Sequence, residues 1–425
     1  MSKKVLIITY YWPPAGGPGV QRWLKFVKYL PEFNVEPIVY CPSNPNYPII
    51  DDSLTDEVST DLTIIKHPIK EPYAFARLFS KSSTKKFSTG VFKSNKKQSF
   101  IDRLLLYIRG NYFIPDARKQ WIAPSVKFLS DYIQEHNIET IITTGPPHSM
   151  HLIGLQLKQK FNIKWITDFR DPWTTIGYHK QLKLTHRSRV KHLQLESKVL
   201  NGADQIVVTS SHTKSEFSSK TNQPIEVITN GYDRHDITID EKDEQFSISH
   251  VGSLLLERNP LILWESISEL INEHSDFAKH IELNFIGVVS DGVLQSIYKY
   301  GLKPYTNTIG YVSHDEAIKM QLSSQVLLLI EIDSEDTKAI IPGKLFEYMV
   351  SETPILAIGP KDSDVESIIK QTNTGTYYTY EDKNAIKSQI LTYFEAYKTR
   401  SLRSHAIGLE PYSRRALTKR LSELL

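Results

Sequence analysis

Short apolar runs alternate with stretches of helical periodicity from the beginning of the chain. The run VLIITYYW at 5–12 is rich in β-branched and aromatic residues, and after a Gly/Pro turn the segment 20–30 carries apolar residues at helical spacing. Both patterns recur, predicting strands at 35–41, 62–69, 140–145, 163–169 and 205–210 and helices at 121–135, 149–160 and 185–202. Alternating strands and helices pair in parallel through right-handed crossovers, which predicts a doubly wound α/β domain.

The second half of the chain starts the same alternation again. Its patterns predict strands at 224–231, 246–254, 281–287, 307–312, 326–331 and 354–359 and helices at 260–274, 342–351 and 362–371. The polar stretch 211–224 ends in proline and separates the halves, so it is a candidate linker and hinge. The pattern therefore predicts two α/β domains, 1–210 and 211–405.

Length and composition agree with two domains. The 425 residues suit two cores of about 200 residues each, and the net charge of +3 does not indicate a nucleic acid partner. The single cysteine, Cys41, excludes an internal disulfide and a cysteine-based zinc site. The first apolar run stops at Pro13, too early for a signal peptide, and no run of about 18 apolar residues follows. We therefore expect a cytoplasmic location.

One basic segment, 81–119, interrupts the alternation. It contains ten Lys or Arg residues against two acids, interleaved with aromatic residues. One interpretation is a long insertion that packs on its own domain. The other is a basic, aromatic lip that contacts an anionic membrane surface or an anionic acceptor, at the inner face of the cytoplasmic membrane.

A glycine-rich turn follows the first strand. Gly16, Gly17 and Gly19 allow the backbone to approach a ligand closely, and the next helix offers free N–H groups to an anion. The spacing differs from GxGxxG, and Pro18 removes one donor. The turn is therefore either a phosphate loop or a tight strand–helix connection without a ligand.

Ionisable residues collect after two further strands of the first half. His148 and His151 follow the strand at 140–145, and Asp168, Arg170 and Asp171 crowd the end of the next one. Charges at such a position are costly unless they are paired or used. The group is either an Asp–Arg pair that braces the loop or part of a substrate site.

The second half places basic residues at comparable positions. Ser253 follows a strand and Arg258 precedes a helix, and the guanidinium fork of arginine suits a diphosphate. Lys344 lies in a first helical turn, where a bound anion would relieve its conflict with the helix dipole, and Glu347 could accept from ribose hydroxyls. The alternative is an ordinary surface lysine and a first-turn glutamate.

Several motifs in order resemble those of retaining glycosyltransferases of family 4 type. They are TGPPHS, DFRDPW, VITNGYD, HVGSLLLERNP, IGYVSHDEA, PGKLFEYM and PILAIG. The resemblance is strongest to bacterial enzymes that build surface polysaccharides. It implies the GT-B fold: two Rossmann-like domains with parallel sheets facing across a cleft, and a C-terminal helix within 406–425 that crosses back to the first domain.

The resemblance also implies roles for particular residues. Gly16 and Gly17 correspond to the loop facing the donor diphosphate, and Ser253 and Arg258 to phosphate-binding residues. Tyr311 and Val312 correspond to the loop on the nucleobase, and Glu347 to the ribose-binding glutamate. Three positions depart from the family pattern: Ala339 replaces the first motif glutamate, Ser253 stands where many relatives carry Arg, and Arg170 replaces a common histidine.

The function implied is retaining transfer of a sugar from a UDP- or GDP-sugar to a glycan or lipid-diphosphate-linked acceptor. Arg258 would stabilise the leaving diphosphate. Asp171 is the first candidate for the group near the acceptor hydroxyl, followed by Asp168 and His148. We expect no tightly bound cofactor and, without an Asp-x-Asp triplet, no metal site. A sugar-nucleotide epimerase and a non-catalytic nucleotide-sugar binder remain alternatives.

Overall fold

The computed structural model describes residues 2–71, 100–233, 237–239 and 241–425. They form two compact units: Met1–Asn230 together with Arg414–Leu425, and Gly231–Ser413. The boundary therefore lies at Asn230 rather than at 210. Residues 211–218 form a helix, and Ile225–Val227 forms a strand that pairs with the last long strand of the first sheet. The stretch 211–224, predicted as a linker and hinge, is thus built into the first unit.

The first unit contains a seven-stranded parallel sheet in the order β3-β2-β1-β4-β5-β6-β7. Its strands are β1 Lys3–Ile8, β2 Val35–Pro42, β3 Thr63–His67, β4 Thr140–Gly145, β5 Lys164–Phe169, β6 Gln205–Val208 and β7 Ile225–Val227. Its helices are α1 Pro18–Tyr29, α2 Phe100–Tyr112, α3 Ile122–Glu135, α4 Ser149–Lys160, α5 Gly177–Gln181, α6 His186–Gly202, α7 Ser211–Ser218 and, at the C-terminus, α15 Arg414–Ser422.

Both faces of this sheet are covered, which explains the continuous apolar runs in the sequence. Along β1, Val5 and Ile7 pack with Trp23 of α1 and Leu417 of α15, whereas Leu6 packs on the opposite face among residues of α3 and α4. The C-terminal helix therefore completes the core of the first unit.

The second unit contains a six-stranded parallel sheet in the order β10-β9-β8-β11-β12-β13. Its strands are β8 Phe246–Val251, β9 Ile281–Ile286, β10 Thr306–Gly310, β11 Val326–Ile330, β12 Ile355–Ile358 and β13 Gly375–Tyr378. Its helices are α8 Leu261–Glu273, α9 Ser275–His280, α10 Asp291–Lys299, α11 His314–Ser323, α12 Lys344–Met349, α13 Asp364–Thr372 and α14 Lys383–Lys398.

Both sheets reverse their strand order at one point, between β1 and β4 in the first unit and between β8 and β11 in the second. Loops after these strands diverge there and leave a crevice at the carboxyl edge, which is where doubly wound sheets bind ligands. The prediction of two parallel-sheet, Rossmann-like units is confirmed. The topology directs attention to the residues that follow β1, β4, β8 and β11.

The basic segment is described in part, because residues 81–99 lie outside the described ranges. Residues 100–112 of its remainder form α2, which packs against the segment before α6: the Asn111 side chain donates to Lys183 O and accepts from Thr185 N, both at 2.8 Å. Leu104 and Tyr107 of α2 are exposed. None of the helices within the described ranges has the length and apolar character needed to cross a bilayer.

Candidate functional site

The glycine loop after β1 is held by its own neighbours. Gly16 N donates to Ile49 O at 3.0 Å, so this N–H is already used within the protein. A Cβ on Gly19 would overlap the Arg170 guanidinium, at 1.5 Å from Nη1, so the absence of a side chain makes room for that arginine. Gly17 has φ 105°, and nothing within 4 Å would meet a Cβ there. Gly17 is therefore the glycine of this loop that remains open to a ligand.

Asp168 lies at the end of β5 in a closed network. Its carboxylate accepts from Arg22 Nη2 at 2.9 Å, Trp23 Nε1 at 2.8 Å and Thr144 Oγ1 at 2.8 Å. Arg22 also donates to Thr229 O at 2.7 Å. Burial opposes the ionised form, but the charge and hydrogen bond of Arg22 dominate and hold the pKa of Asp168 below its usual value. The geometry favours the bracing interpretation for Asp168, with Arg22 rather than Arg170 as its partner.

Asp171 is different, although it lies only three residues further along. Its carboxylate is partly buried and makes no hydrogen bond or ion pair with any described residue. Burial raises its pKa, against the opposing charge of Arg170. Arg170 itself lies over the Tyr11 ring at 5.9 Å and donates to the carbonyls of Gly145 and Pro146. A carboxylate with free acceptors and a raised pKa suits contact with a substrate hydroxyl.

A buried group of histidines lies beside this loop. His148 stacks on Trp173 with ring centroids 4.7 Å apart and planes at 3°, and Trp173 Nε1 donates to His192 Nδ1 at 3.1 Å. Burial holds the pKa of His148 well below its usual value and lowers that of His151 to about 3 and that of His179 to about 4. These rings are neutral at pH 7. His148 has no partner for either ring nitrogen within the described ranges, so it could both donate and accept a hydrogen bond.

The second unit presents glycines in left-handed conformations at the carboxyl ends of three neighbouring strands, β8, β9 and β10. Gly252 has φ 110°, and Gly287 has φ 117°. A Cβ on Gly287 would come within 2.8 Å of Gly252 O, so a larger residue would force the strand ends apart. The backbones of β8 and β9 are therefore closely packed at this edge of the sheet. Ser253, the next residue after Gly252, is exposed.

Lys344 reaches this edge from α12, a helix of six residues. Its Nζ lies 3.1 Å from His250 Nε2 and donates to Val251 O at 2.8 Å. His250 is buried and neutral, and its Nδ1 lies 3.0 Å from Leu328 O, so Nδ1 donates there and Nε2 accepts from Lys344. Two acceptors occupy two of the three ammonium protons, which leaves one for a ligand.

Arg258 lies near Lys344, and neither cation has a carboxylate partner among the described residues. Burial lowers the pKa of both groups. With the added effect of the Arg258 charge, the pKa of Lys344 falls to about 7. Two partly buried cations that form no ion pair with a described carboxylate make a site that favours an anion.

The remaining candidates of the second unit are near α11: Tyr311 and Val312 precede this helix in the sequence, and Glu347 of α12 contacts its Gln321. Tyr311 is 91% exposed, and Val312 packs partly against the core. Glu347 accepts from Gln321 Nε2 at 3.2 Å through Oε2, and its Oε1 lies 4.0 Å from His314 Nε2. Glu347 therefore retains acceptor capacity, and Tyr311 offers an open ring for stacking.

Two residues of this candidate site, His250 and Glu331, are not among the residues predicted from the sequence. His250 holds Lys344, and Glu331 lies at the end of β11 with its carboxyl buried. Their signal was present as polar residues at the ends of apolar strands, but each stands alone in the sequence. Within the described ranges, no cluster of three or more potential metal ligands occurs.

Two doubly wound units with parallel sheets define the GT-B class of glycosyltransferases, and this chain has that fold. The family described as Glycosyltransferase Family 4 matches residues 19–236, about half of the chain. The chain belongs to glycosyltransferase family 4. No curated protein matches it.

Solved structures at low identity share the fold over the full chain. A glycosyltransferase from Rickettsia africae has 14% identity and a TM-score of 0.60, with 100% of this chain and 97% of that chain covered. HepE of Anabaena in complex with UDP has 12% identity and a TM-score of 0.58, covering 99% and 95%. A mutant of S. aureus TarM, in complex with fondaparinux, alpha-GlcNAc-glycerol and UDP, has 12% identity and a TM-score of 0.56, covering 99% of each chain.

Proposed function

We propose that this protein transfers a sugar from a nucleotide-sugar donor, with retention, to a glycan or lipid-diphosphate-linked acceptor in surface polysaccharide synthesis. The observation that carries the proposal is the pair of cations, Lys344 and Arg258, that lack a carboxylate partner among the described residues. A diphosphate supplies the missing anion. UDP is the first choice of nucleotide because HepE and TarM were solved with it; GDP is the second.

The donor occupies the second unit in this proposal. Lys344, Arg258 and Ser253 bind the diphosphate, Glu347 accepts from the ribose hydroxyls, and Tyr311 with Val312 packs on the base. During transfer, the bond between the anomeric carbon and the diphosphate breaks and a bond to the acceptor oxygen forms, while the acceptor hydroxyl loses its proton. The cations stabilise the charge that develops on the leaving diphosphate.

The first unit supplies the acceptor groups. Asp171 accepts a hydrogen bond from the acceptor hydroxyl, because its carboxylate has free acceptor capacity. His148 is the second candidate for this contact, because neither of its ring nitrogens has a partner among the described residues. Gly17 leaves an open stretch of backbone in the loop after β1, which suits a phosphate oxygen. Asp168 holds the end of β5 and thereby the loop that carries Asp171.

A nucleotide panel tests the donor site. We expect UDP or GDP, but not CMP, to stabilise the protein in a thermal-melt assay. A nucleotide at 100 times its dissociation constant should add about 2.7 kcal/mol to the free energy of unfolding. No shift with UDP, GDP, ADP or CMP would remove the support for a nucleotide site. Conversion of the donor alone into an epimeric sugar nucleotide, with no net release of free nucleotide, would instead favour an epimerase.

Affinity for the nucleotide should also depend on pH through Lys344. Its pKa of about 7 in the free protein rises when a diphosphate binds, because the anion favours the charged form. The contribution of Lys344 to affinity should therefore be complete below pH 7, and affinity should fall by up to about tenfold per pH unit as pH rises above 7. Calorimetric titration of UDP between pH 7 and 9 measures this. Lys344→Met should lose the slope, and Lys299→Met, an exposed control on α10, should keep it.

We also propose that the first unit docks on anionic membranes. Helix α6 exposes Arg187, Arg189, Lys191 and Leu193, and α2, whose Asn111 contacts the segment before α6, exposes Leu104 and Tyr107, so this part of the first unit carries both basic and apolar side chains. Each basic residue near an anionic surface contributes about 1 kcal/mol, which salt screens.

Sedimentation with vesicles tests the docking surface. The protein should bind vesicles containing phosphatidylglycerol at low salt and release them at high salt, and it should not bind pure phosphatidylcholine. Replacing Arg187, Arg189 and Lys191 with Glu should abolish binding. The matched charge change Lys299→Glu with Lys303→Glu in the second unit should not. Equal binding to both vesicles, or none to either, contradicts the proposal.

A further inference from the structure

Glu331 occupies the topological switch point of the second sheet. It follows β11 directly, its N–H donates to Ile358 O at 2.9 Å, and its side chain is 4% exposed. A Cβ on Gly359, its neighbour on β12, would come within 2.5 Å of Glu331 Oε2. The carboxylate is therefore held at the carboxyl edge of the sheet, in a space that a glycine keeps open.

Only one oxygen of this carboxylate is satisfied. Oε2 accepts from Tyr377 Oη at 2.7 Å and from Ser363 Oγ at 3.0 Å. Oε1 is buried and has no partner among the described residues. A buried carboxylate oxygen without a donor is costly, so such an oxygen in a folded protein calls for an explanation.

Arg258 carries the complementary unsatisfied atom. Its Nε is buried and without an acceptor within the described ranges. The Arg258 charge acts on Glu331, yet no ion pair joins the two side chains. The site thus contains a free acceptor and a free donor that do not satisfy each other.

We propose that Glu331 is a sugar-binding residue: Oε1 accepts a hydrogen bond from a hydroxyl of the transferred sugar, and Arg258 Nε donates to an oxygen of the same bound donor. This inference rests on the proposed nucleotide-sugar function. A hydroxyl fits Oε1 because it supplies a proton, whereas a phosphate oxygen at that atom would be repelled. The anchoring of Oε2 by Tyr377 and Ser363 fixes the direction in which Oε1 points, which is the geometry needed for discrimination between sugars.

The test compares sugar nucleotides with the bare nucleotide. Calorimetry at pH 8 would measure binding of UDP, UDP-glucose, UDP-galactose and UDP-N-acetylglucosamine, with GDP and GDP-mannose as the second series. Burial raises the pKa of Glu331 to about 7, so the carboxylate is mostly ionised at this pH. Glu331→Gln should weaken the preferred sugar nucleotide by roughly 10- to 100-fold, because a hydrogen bond to a charged group is lost. Binding of the bare nucleotide should change less than about twofold.

The bare nucleotide separates the possible failures. No binding of any nucleotide to the wild-type protein contradicts the proposed function itself. An equal loss for UDP and UDP-sugar after Glu331→Gln overturns the sugar contact alone, because Glu331 would then support the phosphate site. No loss for either also overturns it, as expected if a water fills the gap. Glu273→Gln, an exposed glutamate of α8 in the same unit, is the matched control and should change neither affinity.

The wild-type protein offers a second route if Glu331→Gln does not fold. Monodeoxy analogues of the preferred sugar nucleotide remove one hydroxyl at a time. Removal of the hydroxyl that donates to Oε1 should weaken binding by about tenfold or more, because the buried oxygen is again left without a donor. Equal affinities for all the analogues would overturn the proposal without any variant.

Discussion

Replacement of Arg258 by alanine should lower kcat by about 100- to 1,000-fold, the largest effect that we expect on turnover. Loss of one donor aimed at a developing negative charge typically has this cost. Arg258 is partly buried and unpaired within the described ranges, so its field is screened little by water. Release of the nucleoside diphosphate that the panel identifies, measured with the matching sugar-nucleotide donor, gives the turnover.

The comparison with Asp171 makes this prediction specific. Asp171→Asn keeps a polar group at the proposed acceptor position and removes only the charge, so its loss in kcat should be smaller than that of Arg258→Ala. This order follows if stabilisation of the leaving diphosphate matters more than a strong base. A larger loss for Asp171→Asn would contradict the account. Arg403→Ala, an exposed arginine of the second unit, is the control and should retain full turnover.

The sequence predicted the long, apolar strands well because these strands are buried on both faces. β13, Gly375–Tyr378, was not predicted: four residues that begin with glycine carry little periodic signal. Its place at the sheet edge comes from pairing with β12, from Ile355↔Gly375 to Ile358↔Tyr378. The sequence boundary at 210 failed for a similar reason, because β7 is three residues long and only its pairing with β6 assigns it to the first unit.

Residues of the candidate site could be predicted where the features that identify them lie close by in the sequence. Arg258 and Lys344 stand beside predicted strand and helix ends, so their position alone indicated an anion site. Glu331 was not predictable, because its network depends on Ser363 and Tyr377, which lie 32 and 46 residues later. The interpretation of Asp168 depended on a partner that is even more distant in the sequence.

That partner is Arg22, 146 residues earlier in the chain, and the pair leads to the largest predicted effect on stability. Asp168→Ala would leave the Arg22 guanidinium buried without its counter-charge and would remove acceptors from Trp23 and Thr144. Breaking one side of a buried ion pair costs about 3–5 kcal/mol, so urea unfolding at pH 7 should show a loss of that size. Asp61→Ala, at an exposed position, should stay within about 0.5 kcal/mol of the wild type.

The pH dependence and a double replacement distinguish bracing from catalysis. Because the folded-state pKa of Asp168 lies below the unfolded value, its contribution to stability is present above that unfolded value and is lost as pH falls through the folded one. The gap between wild type and Asp168→Ala should therefore shrink in strong acid. Replacing Arg22 with Met and Asp168 with Leu together should recover much of the lost stability, since no charge then remains unpaired. If Asp168→Ala instead keeps the stability of the wild type and loses turnover, Asp168 acts on the substrate and the bracing role is wrong.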